Sequence, residues 1–134
     1  MRKSCFLTLT AVLLTVPAFS APTAEKAAAK AIEFHIKAGT GSAPWNTPEN
    51  PVVLEVGDTF ILVNDDPSVP SHYLHTPGVP CRHGRGPIAF GQREEFEITD
   101  EANPVETVLY DHHFGPTARF YVLSTKAAPD AAPF

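Results

Sequence analysis

Methionine is almost missing from this sequence, and its single copy is the first residue. The rest of the chain therefore has no thioether to offer a metal ion. Cysteine is nearly as scarce, at two copies. Cys5 lies in an apolar N-terminal run and lacks the small-residue setting of a lipid-attachment site, which leaves Cys81 alone in the remainder. One thiol cannot form an internal disulfide, and haem attachment through paired cysteines is excluded. Long apolar runs are absent too. The longest, "CFLTLTAVLLTVPAF", is too short to cross a bilayer as a helix. It follows the positive "MRKS" and ends in "AFS", the layout of an export signal at 1–20 cut before Ala21. A periplasmic or secreted protein is expected, with no membrane attachment after cleavage. A lone thiol in an oxidising compartment has to be buried, paired between chains or bonded to a metal.

Positive charge is also in short supply. Loss of Arg2 and Lys3 with the signal leaves eight of the ten Lys and Arg against fifteen Asp and Glu, a formal charge of −7. That balance argues against nucleic acid and anionic lipid as partners. It suits a basic docking partner.

What is present in quantity is proline, with 14 copies, and short alternating apolar stretches. The Ala-rich segment 21–30 reads as a linker and 126–134 as a disordered tail. Between them, residues 31–125 read as one domain with a period of two. "IEFHIKA" sets Ile32, Phe34 and Ile36 against Glu33, His35 and Lys37, which puts His35 on a polar face. "VVLEVGDTFILVNDD" reads as two strands turning at Gly57-Asp58, and "EEFEIT" alternates Phe96 and Ile98 with glutamates. "TVLYD" and "ARFYVLS" form a last pair around "HHFGPT". The predicted fold is all-β, a Greek-key β-sandwich of antiparallel connections.

Five of the six histidines lie near predicted strand ends. "HYLHTPGVPCRHG" holds His72, His75 and His83 around Cys81, and His112 and His113 follow a later strand. Strand ends gather at the poles of a sandwich, so these groups are expected to converge. Cys81 and His83, one residue apart, are spaced to chelate one ion. Thiolate with imidazole suits copper and zinc and is poor for magnesium or calcium. Cys81 as a nucleophile with His83 as its base has poor geometry at that spacing and no accompanying oxyanion motif.

The run "PVVLEVGDTFILVNDDPSVPSHYLH" and the hairpin "LYDHHFGPTARFYVLS" resemble the cupredoxin family of plastocyanin- and azurin-like copper proteins. The resemblance covers residues 51–75 and 107–124 and implies a cupredoxin-type sandwich with a mononuclear copper site for electron transfer or copper handling. It is an atypical member: Asp111 stands where the family's copper-binding cysteine would, and no axial methionine exists. The implied ligands are His72, Cys81, His83 and His112, with His75, Asp111 and His113 as secondary candidates. The Cys81 thiolate would give a charge-transfer band with Cu(II). "GTGSAPWNTP" resembles a covering loop, in which Trp45 either shields the site or fills the core. Two other readings stay open: an iron-dependent enzyme of superoxide-reductase type, and a metal-free sandwich that binds a partner.

Overall fold

The computed structural model describes residues 28–127. The expected signal 1–20, most of the linker and most of the tail lie outside these described residues. Ten strands follow one another: β1 (Ala31–Ile36), β2 (Val52–Glu55), β3 (Thr59–Asn64), β4 (Ser71–His72), β5 (Leu74–His75), β6 (Ile88–Ala89), β7 (Arg93–Glu97), β8 (Leu109–Asp111), β9 (Gly115–Phe120) and β10 (Val122–Thr125). No helix occurs among the described residues, and none is long and apolar enough to cross a membrane.

The period-two reading holds where it was strongest. In β3 the side chains of Phe60, Leu62 and Asn64 are buried and those between them are not. Phe96 and Ile98 are buried as the alternation around them requires. Pairing runs β1-β3-β7 in one ladder and β5-β8-β9 in another, with β2 beside β10 and β4 beside β6.

Two of the pairings are parallel, β1 with β3 and β2 with β10, where antiparallel connections were expected. The turn at Gly57-Asp58 explains the first. Gly57 takes φ +100°, the left-handed region open to glycine, and the Asp58 N–H donates to the Glu55 carbonyl at 3.0 Å. The Asp58 carboxylate accepts the Glu55 and Lys30 backbone N–H groups at 2.8 and 3.0 Å. Strands β2 and β3 leave this turn into different ladders rather than pairing as a hairpin. The chain crosses from β1 through β2 and re-enters beside β1 in the same direction, which is how parallel neighbours arise.

The core lies between the ladders. Phe60 stacks on Phe96 at 4.8 Å, and Phe60 meets Phe120 of β9 at 5.6 Å. Trp45 is a core residue, 5% exposed, against Phe120 at 5.4 Å and edge-on to His72 at 5.5 Å. Its indole N–H has no hydrogen-bond partner.

Candidate metal centre

Strand β5 ends in His75 and pairs with β8, so that His75 lies opposite Tyr110. The turn after β8 carries His112, whose backbone N–H donates to the Tyr73 carbonyl at 2.7 Å. The Pro- and Gly-rich loop after β5 returns His83 to the same place. Nδ1 of His75 lies 3.0 Å from Nε2 of His83 and 3.3 Å from Nδ1 of His112. All three donor atoms lie within 4.8 Å of one another, the one group of its kind among the described residues.

Those separations suit one ion. With metal–nitrogen bonds of about 2.0–2.1 Å, two nitrogens of a tetrahedral ion stand about 3.3 Å apart. His83 Nδ1 lies 2.9 Å from the Gly84 carbonyl, which only accepts, so a neutral His83 keeps its proton there and turns the Nε2 lone pair inward. Burial, then the neighbouring His83 and His112, hold the His75 pKa below its ordinary value. His75 is therefore neutral at physiological pH and free to ligate. Tyr110 stacks on His75 at 4.3 Å, and Tyr73 stands 5.0 Å from the His112 ring and 5.2 Å from His83.

Gly84 closes this arrangement. Its N–H donates to the Leu74 carbonyl at 3.0 Å, and its carbonyl also accepts the Tyr73 hydroxyl at 3.3 Å. A Cβ here would stand 2.9 Å from both the Leu74 oxygen and the Tyr73 ring. Gly84→Ala is expected to cost about 1–3 kcal/mol of stability by overpacking. Urea denaturation checks this.

Of the four primary ligands implied by the sequence, His83 and His112 belong to the tight group; His72 and Cys81 do not. The secondary candidate His75 is its centre. His72 is fully buried, with Nδ1 2.6 Å from Asp111 Oδ2 and Nε2 3.0 Å from Asp66 Oδ2. Burial alone would lower the His72 pKa, but the bonds to Asp111 and Asp66 outweigh it and raise it. Both ring nitrogens face carboxylate oxygens, an arrangement that favours the imidazolium. Asp66 also accepts the N–H groups of Gly39, Gly41 and Ser68 and the Ser68 hydroxyl, and its pKa falls well below the usual carboxylate range despite burial.

Cys81 is 0% exposed within the apolar core. Burial pushes its thiol pKa up to about 12, so the sulfur stays protonated among its present neighbours. Asp111 spends its carboxylate on His72 and on the His113 N–H at 2.8 Å. The His113 ring is exposed and sits 5.9 Å from Tyr73. His35, expected on a polar face, is exposed and bonds Asp65 at 2.6 Å.

Asp66, Tyr73, Tyr110 and Gly84 were not anticipated as parts of this pole. The "DD" after β3 and the Gly after His83 are visible in the sequence. Neither carries a local mark of what it bonds: Asp66 reaches back to the N–H groups of Gly39 and Gly41, and Gly84 to Leu74 and Tyr73.

No protein-family model matches the sequence, and no curated protein matches it. Solved structures do match. The purple cupredoxin from Nitrosopumilus maritimus has a TM-score of 0.52 at 22% identity, over 70% of this chain and 99% of that one. The Cu(I) form of a methionine-to-alanine variant of amicyanin gives 0.53 at 19% identity, over 71% of this chain and 82% of that one. An oxidised proline-to-alanine variant of amicyanin gives 0.53 at 19%, with the same coverage. The fold of this chain is the cupredoxin β-sandwich.

Proposed function

We propose that this chain is an exported copper-binding protein that holds one ion through His75, His83 and His112. The carrying observation is the convergence of three imidazole nitrogens, two pairs of them 3.0 and 3.3 Å apart, at one pole of the sandwich. The cupredoxin fold, shared with an amicyanin whose Cu(I) form is known, supports copper over zinc or iron. Export rests on the N-terminal "MRKS" and the apolar run after it.

This reading departs from the Cys/His set implied by the sequence, because Cys81 and His72 have other work in the fold. An all-imidazole set is a borderline donor set that serves both copper oxidation states. Bound there, copper supplies an exchangeable redox ion. The chain's own residues supply the rest: Gly84 orients His83, Tyr110 supports His75, and the exposed His112 opens the pole to a partner. That exposure favours copper handling, by binding and release to a trafficking partner. Electron transfer to a redox partner is the second reading, favoured by the rigid β-framework behind the site.

Copper titration of the mature chain should give one ion per protein, with a Cu(II) spectrum lacking the intense thiolate band. Cys81→Ser should leave copper affinity within about threefold while lowering stability by about 1–3 kcal/mol, since a hydroxyl enters an apolar site. An intense band in the parent protein, lost in Cys81→Ser, would refute the three-histidine assignment and restore the thiolate.

A further inference from the structure

A buried line of hydrogen-bonded side chains adjoins the metal centre without belonging to it. Asp66, His72 and Asp111 are each 0% exposed and joined in a line by contacts of 3.0 and 2.6 Å. At one end, Asp66 gathers the loop N–H groups of Gly39 and Gly41 at 2.8 Å each. At the other, Asp111 folds the turn that carries His112. Its Oδ1 accepts the His113 N–H at 2.8 Å, and its backbone carbonyl accepts the Phe114 N–H at 3.2 Å. Leu74 pairs with Asp111, so the strand bearing His75 is tied to the same point.

We infer that His72 is a positioning residue for the metal centre: its bond to Asp111 fixes the turn that holds His112 against His75. The inference rests on the three-histidine reading above. The physical reason is that a side chain one residue from a ligand sets the direction of that ligand. His112 has only its backbone bond to Tyr73 and its ring contacts to hold it otherwise. An exposed imidazole with so few restraints loses rotamer freedom on binding unless the turn is already set. The Asp111 contact is the short, charge-assisted one, and it is buried, where such bonds are strongest.

The two ring nitrogens can be tested separately. The His72→Asn amide reaches about as far as Nδ1 and keeps a donor toward Asp111. The His72→Gln amide reaches about as far as Nε2 and keeps the donor toward Asp66 instead. Copper affinity by chelator competition and the count of coordinated nitrogens by electron spin-echo measurements would be read on folded protein, verified by circular dichroism. His72→Asn should stay within about threefold of the parent, and His72→Gln should lose about tenfold and one coordinated nitrogen, the size typical of a partner behind a ligand. Equal affinities for the two variants would overturn the inference.

Should His72→Gln fail to fold, Asp111→Asn reads the same contact from the other side. Its loss of about tenfold should vanish in a His112→Ala background, because coupled residues are not additive. A loss that persists undiminished there would equally overturn it. If the parent protein binds no copper, or His83→Ala binds it unchanged, the metal reading itself has failed, which neither comparison above imitates.

Discussion

Replacing His83 by alanine should raise the copper dissociation constant by on the order of a hundredfold or more. Loss of a partner behind a ligand already costs 10–100-fold, and loss of the ligand itself exceeds that. Two imidazoles 3.3 Å apart, His75 and His112, would remain. The fold should survive, because the His83 ring is only half-buried and its one backbone acceptor is the adjacent Gly84. Calorimetric titration with a competing chelator gives the number, and urea unfolding of the metal-free variant checks that stability is unchanged. His75→Ala should cost at least as much affinity, since His75 contacts both other rings. The same experiment on Cys81 or His35 should move the constant little. An unaltered constant in His83→Ala would remove the three-histidine centre.

A second large effect concerns stability rather than binding. His72→Leu keeps an apolar volume in place but leaves Asp66 and Asp111 facing each other's charge without the imidazolium between them. Removing one member of a buried charged set typically costs about 3–5 kcal/mol, mostly the penalty on the charges left behind. Asp66 keeps its four other donors, which soften its share. Asp111 keeps only the His113 N–H and carries the larger share. Chemical denaturation should therefore show a markedly lower midpoint with little change in slope. A loss below about 1 kcal/mol would mean that water or a relaxed turn replaces the ring.

The pH dependence follows with a definite sign. The His72 pKa is raised in the folded protein above the ordinary 6.5. Its contribution is complete below that ordinary value and is lost as pH climbs through the raised one, because the unfolded chain then binds fewer protons than the folded one. Asp66 works in the opposite direction: its pKa is depressed, so its contribution is present above the ordinary 3.8 and lost as pH falls below it. The metal-free protein should be most stable in mildly acidic to neutral solution and weaken toward alkaline pH. In His72→Leu the alkaline weakening should be much reduced, which unfolding midpoints across pH 6 to 9 will show.

The strands were legible because a half-buried strand writes its burial directly into the chain. Ile32, Phe34 and Ile36, or Phe60 and Leu62, announce a face by alternating with polar neighbours, and no distant residue is needed to read it. Histidine and cysteine carry no such local mark of their partners. His72 and His75 stand three residues apart in one loop-like stretch, yet one is sealed between carboxylates and the other faces two imidazoles. What separates them is the pairing of β5 with β8, which sets Leu74 opposite Asp111 and His75 opposite Tyr110. The spacing of Cys81 and His83 allowed chelation, but the loop turns the thiol into the core and the imidazole out.

The sequence by itself determined the all-β class, the positions of β1, β2, β3, β7 and β8, the pole where the histidines gather and the lack of any thioether beyond Met1. Each of these depends on local alternation or on composition. Only the tertiary structure decided which imidazoles meet, that two strand pairs run parallel, and that His72 bonds Asp66 and Asp111. Those outcomes depend on pairing between distant segments, such as β2 with β10, or His72 with Asp111 39 residues further on. Register is fixed when both faces of the sandwich pack together, not by the residues of either segment alone.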